Sequence, residues 1–234
     1  MKGTLYLIPN TLGAEHYSDV IPQKTVSTAV NLKHFIVEDL KNARRFLKKM
    51  DRNFDIDSCK FYVLNKRTDD KEISNSLRAL YKGEDIGVIS EAGCPGVADP
   101  GAEVVKRVHG DNIKVVPLTG PSSILLALMA SGLNGQNFAF NGYLPINKSK
   151  RADSLKQLEQ LSKNNGQSQI FIEAPYRNNQ MLETVMDVCS LKTKLCIACN
   201  ITTSSEFIST RSIKRWKEEL PDIHKQPAIF IIQG

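Results

Sequence analysis

The chain has 234 residues, with 31 Lys and Arg against 25 Asp and Glu, a formal net charge of +6. Hydrophobic residues make up 41% and charged residues 24%, which argues against a disordered, collagen-like or coiled-coil chain and predicts one large or two small domains. No apolar run approaches the roughly 18 residues of a membrane span, and no secretory signal opens the chain. The five cysteines are an odd number and nothing indicates an oxidising compartment, so we expect their thiols to be reduced. We therefore expect a soluble, cytoplasmic protein without a membrane partner, and the positive charge favours a polyanionic one.

Short apolar runs alternate with stretches of helical spacing, which predicts an α/β fold. A first helix is predicted over residues 32–50, because apolar residues from Phe35 to Met50 recur at three- and four-residue steps. Exposed helix faces are normally charged, so we favour a solvated face over a nucleic-acid contact for its basic residues. Those residues are Lys41, Arg44, Arg45, Lys48 and Lys49. The predicted strands cover residues 5–8, 60–64, 86–89, 114–117, 169–172, 195–198 and 228–232.

Two further helices are predicted in the first half. Asp99 is placed to cap a helix over residues 103–108, with Pro100 at its first position. The segment 123–131 is apolar nearly all round, which predicts a helix buried on most sides. The polar segment after it indicates a domain boundary, so the predicted domains are 1–134 and 135–234. In the second domain, helices are predicted over residues 156–162 and 179–189.

The segment of residues 87–101 is the most informative for chemistry, because a buried strand runs into a loop rich in Gly, Pro and acids before a capped helix. Ligands of open α/β sheets bind beyond the carboxyl ends of the strands. Gly93 and Gly96 allow close approach of a ligand, and Glu91 is placed to bond a ribose hydroxyl or an amine. This pattern favours a ligand site over a simple turn. Residues 115–123 repeat it more weakly, as either an anion site or a structural helix start.

Several familiar sites are missing from the sequence. It contains no G-x-G-x-x-G, no phosphate-binding G-x-x-x-x-G-K-[ST] and no G-x-S-x-G, which argues against ordinary dinucleotide enzymes, nucleotide hydrolases and serine hydrolases. Cys196 and Cys199 form C-x-x-C on a predicted strand, where their side chains point to opposite faces, and the four histidines lack ligand spacing. We therefore expect no metal site.

In combination, these segments resemble the tetrapyrrole methylase superfamily, and within it the branch of ribosomal RNA small subunit methyltransferase I, which methylates a ribose 2′-hydroxyl. The family pattern S-D-A-G-x-P-x-x-x-D-P-G matches residues 90–101, and P-G-P-S followed by S-G-L matches 119–122 and 131–133. The blocks F-x-F-x-G-F-L-P, E-S-P-H-R and A-E-D-T-R appear with substitutions, as Phe138-Ala-Phe-Asn-Gly-Tyr-Leu-Pro145, Glu173-Ala-Pro-Tyr-Arg177 and Val37-Glu-Asp-Leu-Lys41. The matching blocks follow the family's order over most of the chain.

The resemblance implies two α/β domains with S-adenosylmethionine in the cleft between them, and a homodimer. It assigns catalysis or substrate orientation to polar residues of two blocks: Glu38, Asp39 and Glu173 as candidate bases, and Tyr176 and Arg177 as orienting residues. Under the hypothesis of an RNA acceptor, Lys148, Lys150, Arg151 and the basic helix face are the residues that would contact its phosphates. The cofactor contacts it implies are Pro9, Glu91, Ala92, Gly93, Val97, Ser122, Ser123, Tyr143, Leu144, Ala174, Pro175, Pro227, Ala228 and Ile229.

The sequence also departs from the family pattern. Residues 8–13 keep only part of T-P-I-G-N-L, and E-L-T-K becomes Asn200-Ile-Thr-Thr203, which removes an acid and a lysine. The predicted function is therefore an S-adenosylmethionine-dependent methyltransferase acting on a ribosomal RNA ribose. Two alternatives stay open: an enzyme of the same fold that methylates a tetrapyrrole or another small molecule, and a non-catalytic paralogue that binds the cofactor or RNA.

Overall fold

Two α/β units make up the structure, a computed structural model that describes residues 1–64 and 68–234. The first unit is Met1–Ser122 and the second is Ser123–Gly234. This division lies earlier than the predicted boundary at residues 134 and 135. The difference arises because the helix of residues 123–131 packs against three strands of the second unit.

Five parallel strands form the sheet of the first unit, in the order β3-β2-β4-β1-β5. Parallel strands place their carboxyl ends at one edge, so the loops that follow β1, β2, β4 and β5 start side by side. The strands are β1 (Thr4–Ile8), β2 (His34–Val37), β3 (Lys60–Val63), β4 (Ile86–Ile89) and β5 (Lys114–Pro117), and the helices are α1 (Gln23–Ala29), α2 (Leu40–Met50), α3 (Asp70–Ser76), α4 (Arg78–Tyr81) and α5 (Gly101–Gly110).

The predicted helix over residues 32–50 is wrong in its first part, which forms strand β2. All four residues of β2 are buried, and a short run buried on both faces has no period that separates strand from helix. The helix starts only at Leu40, where the Asp39 side chain accepts a hydrogen bond from Asn42 N at 2.8 Å. At α5, Pro100 occupies the N-cap position and not the predicted first helical position.

The sheet of the second unit is mixed, in the order β6-β7-β10-β8-β9. Strands β6 and β7 run parallel, whereas β10 is antiparallel to both β7 and β8, so β6, β7 and β8 end at the edge where β10 begins. The strands are β6 (Phe138–Tyr143), β7 (Ser168–Ile172), β8 (Lys194–Cys199), β9 (Phe207–Ser212) and β10 (Ala228–Gln233), and the helices are α6 (Ser123–Ser131), α7 (Lys148–Asn165), α8 (Asn178–Val188) and α9 (Ile213–Trp216).

The second unit also departs from the predictions. Strands β6 and β9 were not among the predicted strands, and α7 begins at Lys148 because Asn147 caps it with a bond from Lys150 N. Helix α6 was expected to be buried on most sides, yet Leu125 is 50% and Met129 77% exposed. Its uniform apolarity therefore does not reflect burial on all sides.

Apolar side chains cover both faces of the first sheet and fill one cluster in the second unit. Phe35 and Leu47 belong to one cluster of the first unit, and Leu5 and Leu80 belong to the other. Trp216 anchors the cluster of the second unit, and its indole donates to Leu195 O at 2.9 Å. In residues 1–64 and 68–234, no helix has both the length and the apolarity that crossing a membrane requires.

Candidate functional site

The loop after β4 is tied to the loop after β1 by four hydrogen bonds. Asn10 N donates to Gly93 O at 2.9 Å, and Gly93 N donates back to Asn10 O at 3.1 Å. The Asn10 side chain donates to the backbone oxygens of Ser90 and Glu91 at 3.0 and 3.2 Å. Since Asn10 and Ser90 are both buried, these bonds fix the start of the loop at the carboxyl edge of the sheet.

Glycine and Asp99 set the shape of the rest of this loop. Gly93 and Gly96 have φ values of +68° and +82°, in the left-handed region that favours glycine. A Cβ on Gly93 would also stand 3.3 Å from a methyl of Leu12. One oxygen of Asp99 accepts from Gly96 N and Gly101 N at 2.7 Å each, and burial raises the pKa of this carboxyl above its usual range. Hydrogen bonds from two backbone N–H groups of the loop to its own Asp99 side chain therefore hold this part of its shape.

The predicted cofactor residues of the first unit differ in accessibility. Glu91, Ala92 and Val97 are exposed on the loop, whereas Gly93 and Pro9 are buried. A Cβ on Gly120 would collide with the ring of Pro9, so glycine is required where the loops after β1 and β5 meet. The last two predicted residues, Ser122 and Ser123, are half-buried and lie on either side of the division between the units.

A cavity of about 630 Å³ opens beside this loop within the first unit. Its walls come from three segments: residues 10–13 after β1, one face of α2, and Glu91 with Ala92 after β4. The Glu91 carboxylate accepts a hydrogen bond from the Asn42 amide at 2.7 Å, which joins two of these walls. The volume lies within the range of small-molecule sites in proteins.

The two candidate bases of the first unit lie between β2 and α2. Asp39 is exposed, and one of its oxygens accepts the bond from Asn42 N that starts the helix. Glu38 is half-buried at the end of β2. Asp39 thus caps α2. The first turn of the same helix also contacts the loop after β4, because the Asn42 amide donates to Glu91.

In the second unit, Glu173 and Arg177 form an ion pair at the end of β7. One oxygen of Glu173 accepts from Arg177 Nη2 and from Ala174 N, both at 2.6 Å, and its side chain is fully buried. The hydrogen bond to Glu173 raises the pKa of Arg177. Arg177 also donates to the Tyr176 hydroxyl at 2.8 Å, and the Tyr176 ring is largely exposed. Glu173 therefore fixes the direction of Arg177, which holds the hydroxyl of Tyr176.

The same sheet edge brings the other predicted segments of the second unit together. Lys225 N donates to Pro175 O at 2.9 Å, and Asn200 N donates to Pro227 O at 3.0 Å. The Asn178 side chain donates to Gln226 O at 2.6 Å. Ala174 is half-buried and Tyr143 is exposed, whereas the side chains of three other predicted cofactor residues are buried in the core. Those three are Leu144, Ala228 and Ile229.

Sequence reasoning missed the asparagines that join these segments. Asn10, Asn42, Asn178 and Asn200 each bond across a long sequence separation, such as the 49 residues between Asn42 and Glu91. Asn42 carries a local signal, because it follows the capping Asp39 at the third position. Contacts between distant segments leave no such spacing in the sequence.

One predicted phosphate contact is wrong. Lys148 and Lys150 are exposed, but Arg151 is buried with 3% exposure. Its guanidinium donates to the Thr184 hydroxyl at 2.9 and 3.1 Å and to Ile146 O at 3.1 Å. Arg151 lies on the face of α7 that also carries Leu155, so it is enclosed by the fold and not available to RNA.

The cysteines of the C-x-x-C pair occupy alternate faces of β8, as predicted. Cys199 belongs to the core cluster together with Leu195 and Ile197, whereas Cys196 lies at the alternate position of the strand. Burial raises the pKa of Cys199 to about 11, so its thiol stays protonated at neutral pH. Throughout the described ranges, no group of three or more His, Cys, Asp or Glu could hold a metal ion.

Comparisons with known proteins agree with the predicted family and fold. A family model described as Tetrapyrrole (Corrin/Porphyrin) Methylases matches residues 19–215. Proteins named ribosomal RNA small subunit methyltransferase I from Buchnera aphidicola subsp. Schizaphis graminum and Streptococcus pyogenes serotype M6 are each 31% identical to the chain. The first match covers 98% of this chain and 78% of the relative, and the second covers 100% and 77%.

Solved structures show the same fold at low sequence identity. The methyltransferase CobJ superposes with a TM-score of 0.66 at 15% identity and covers 100% of this chain and 94% of its own. Uroporphyrin III C-methyl transferase from Thermus thermophilus gives 0.61 at 14% identity, with coverage of 99% and 97%. Both confirm the predicted tetrapyrrole methylase-like α/β fold. The chain belongs to the tetrapyrrole (corrin/porphyrin) methylase family.

Proposed function

We propose that this protein transfers a methyl group from S-adenosylmethionine to a ribose 2′-hydroxyl of ribosomal RNA. The observation that carries the proposal is the cavity of about 630 Å³, whose walls combine the glycine-shaped loop after β4 with a basic face of α2. The names of the relatives at 31% identity support the acceptor. A ribosomal RNA acceptor also agrees with the expected cytoplasmic location.

The residues of the first unit fit a methyl donor of this type. A Cβ on Gly93 would stand 3.3 Å from Leu12 and 3.5 Å from Pro121 O, so glycine lets the loop pass close to its neighbours there, and Glu91 presents an exposed carboxylate that is suited to an ammonium group or to ribose hydroxyls. When bound, the cofactor supplies an activated methyl group. Glu91, Ala92, Gly93 and Val97 are proposed to hold it, with Pro9, Ser122 and Ser123 in support. The remaining cofactor residues predicted in the second unit stay a prediction: Tyr143, Leu144, Ala174, Pro175, Pro227, Ala228 and Ile229.

Displacement at a methyl group needs the acceptor oxygen in line with the departing atom, so positioning supplies most of the catalysis. Glu173 and Asp39 are engaged in bonds that orient Arg177 and start α2. We therefore assign both carboxylates to positioning. The role of candidate base at Glu38 stays a prediction from the resemblance. Arg177 and the exposed Tyr176 are proposed to orient the acceptor.

The homodimer that the resemblance implies remains a prediction. Leu125 and Met129 of α6 expose apolar surface that a second copy would cover. One alternative acceptor keeps a specific observation in its favour, because the cavity is also large enough for a small metabolite. Transfer to a small molecule, but not to RNA, would favour that alternative.

The proposal is tested first by calorimetric titration with S-adenosylmethionine and S-adenosylhomocysteine. We expect about one site per chain for the unsubstituted protein and a loss of affinity of at least about 100-fold in Gly93→Arg, because the new side chain crowds Leu12 and Pro121 O and favours another backbone conformation. Gly110→Arg is the matched control, since a Cβ there meets nothing within 4 Å and its φ is ordinary. Circular dichroism verifies that both variants are folded.

The acceptor is tested by methyl transfer to small-subunit ribosomal RNA, with mapping of the product. A 2′-O-methyl mark that Gly93→Arg fails to produce supports the proposal. Cofactor binding without transfer to any acceptor would favour the non-catalytic paralogue. Absence of binding up to millimolar cofactor, or equal binding by Gly93→Arg and the unsubstituted protein, would refute the assigned site.

A further inference from the structure

One stripe of α2 faces the cavity beside the loop after β4. Asn42, Arg45, Phe46 and Lys49 all line it, and their spacing of three, four and seven residues puts them on the same side of a helix. Arg45 and Lys49 are one turn apart and both exposed. The cavity wall thus carries two neighbouring cations next to Glu91 and Ala92.

The five basic residues of α2 are not equivalent. Arg44 lies 3.3 Å from the Asp57 carboxylate, and Lys48 donates to Arg52 O at 3.2 Å. Lys41, Arg45 and Lys49, in contrast, show no ion pair or hydrogen bond to any part of the chain that the structure describes, and of these three Arg45 and Lys49 line the cavity. Folding therefore occupies one pair of cations and leaves the pair in the cavity available.

The acid in the cavity does not neutralise this available pair. Glu91 is the acidic residue among those that line the cavity, and its Oε2 accepts from the Asn42 amide. Neither Arg45 nor Lys49 approaches it within ion-pair distance. Two positive charges face one negative charge in a cavity of nucleotide size, so the site has a net attraction for an anion.

We propose that Arg45 and Lys49 bind the phosphate that adjoins the acceptor nucleotide and so hold its ribose beside Glu91 and Ala92. This inference rests on the proposed RNA acceptor. Arg45 supplies two parallel donors that match phosphate oxygens, and Lys49 adds a point charge one turn away. The cofactor is proposed at Glu91 and Ala92, on a different wall from these two cations, so the phosphate occupies the side of the cavity that α2 forms. Chemistry on a nucleotide needs it out of the stack, so we propose an unpaired or extruded acceptor residue.

The test compares two double variants of the same helix that remove the same charge. Arg45→Ala with Lys49→Ala empties the cavity wall, and Arg44→Ala with Lys48→Ala is the matched control. The probes are a 20-nucleotide single-stranded oligouridylate for binding and small-subunit ribosomal RNA for methyl transfer. Affinity for the oligonucleotide is measured between 50 and 300 mM salt. Affinity for S-adenosylmethionine is measured by calorimetry.

For the cavity variant we expect RNA affinity at least about tenfold weaker and a salt slope smaller by about 0.7, since both residues contact a single phosphate and each lost single-strand phosphate contact removes about 0.7. KM for ribosomal RNA rises and kcat falls, because the ribose is no longer held in line, whereas the affinity for S-adenosylmethionine stays within about twofold. The control variant should change the slope by less than about half as much. Arg45→Lys should recover part of the affinity, because the charge remains but the paired donors are lost.

The outcomes separate this inference from the proposed function. If the unsubstituted protein methylates RNA but both double variants behave alike, or the cavity variant is unchanged, the phosphate site is wrong and the function stands. If the unsubstituted protein binds S-adenosylmethionine but neither binds nor methylates RNA, both proposals fail. If the cavity variant loses cofactor affinity instead of RNA affinity, the two cations belong to the cofactor site and this inference is overturned.

Discussion

Helix α2 and the start of α7 are both rich in Lys and Arg. The fold nevertheless places an arginine of each in opposite environments. On α2, Arg45 is exposed and lines the cavity. On α7, Arg151 is buried, and its donors meet a hydroxyl and backbone carbonyls of the same unit. One arginine is exposed at the wall of a cavity and the other is enclosed.

The difference shows what a charge count leaves out. Arg151 falls on the stripe of α7 that includes Leu155 and Leu158, so the helix buries it with the apolar residues. Thr184 and Ile146 O satisfy its donors, as a buried cation requires. Arg45 is adjacent to Ala43 and Phe46 but not on their buried stripe. Position on a helix stripe, more than residue type, separates these two roles.

The largest effect is expected at the enclosed arginine. Arg151→Met keeps much of the side-chain volume but removes the donors to Thr184, Ile146 O and Gln180 O. We expect the free energy of unfolding to fall by about 3 kcal/mol, because each buried acceptor left without a partner costs about 1–3 kcal/mol. Urea unfolding measures the loss. Lys150→Met, an exposed neighbour, should change stability by less than about 0.5 kcal/mol.

Measuring RNA binding by the same variant tests whether Arg151, unlike Arg45, is inaccessible to RNA. Arg151→Met should leave the salt slope of RNA binding unchanged under conditions where the variant is folded. A stable variant with weaker RNA binding would show that Arg151 is presented, and it would remove the distinction between the two helices.

An enclosed acid gives the next largest effect. Glu173→Gln preserves the shape but weakens two bonds to a fully buried oxygen, including the charged bond to Arg177. Hydrogen bonds to charged groups contribute about 1.5–3 kcal/mol, so we expect the free energy of unfolding to fall by about 2 kcal/mol. If Glu173 positions Arg177, the variant keeps measurable kcat and the pH profile of kcat keeps its acid limb. Turnover that is strongly reduced but measurable and has lost that limb would identify Glu173 as the base instead.

Much of the fold follows from local patterns. Residues 86–89 and 114–117 form strands with the predicted bounds, and α6 covers the predicted residues 123–131. The prediction failed at β2, where buried His34 and the three buried apolar residues after it lead directly into the apolar stripe of α2. It also missed β9, since Phe207–Ser212 is only half-buried and largely polar. Tertiary partners, not the residues themselves, determine these elements.

The candidate site was predictable where backbone geometry dictates residue type. Glycine at positions 93 and 96 agrees with their left-handed conformations, whereas Asp99, predicted to cap the helix, accepts from Gly96 N and Gly101 N while Pro100 takes the N-cap position. The availability of Arg45 and the burial of Arg151 were not predictable, because each depends on partners from other segments. Local conformation leaves a sequence signal, and long-range pairing of polar groups leaves none.

The smallest effect is expected at Asp99, an enclosed acid in the same loop as the presented Glu91. Asp99→Asn keeps an oxygen for Gly96 N and Gly101 N, so the loop should stay folded and cofactor affinity should change by less than about threefold.

The pH dependence of stability is the informative measurement for Asp99. Burial raises the pKa of Asp99 in the folded protein. At pH values between the unfolded and the folded pKa, the folded state therefore binds more protons at Asp99 than the unfolded state does. The contribution of Asp99 to stability therefore declines as pH rises from about 4 through the raised pKa, and the Asn variant lacks this decline. Urea unfolding of both proteins at pH 4 and pH 7 should show Asp99→Asn gaining relative to the unsubstituted chain at the higher pH. A relative loss at pH 7 would mean that the carboxylate charge stabilises the loop, and that Asp99 belongs with Glu91 among the presented acids.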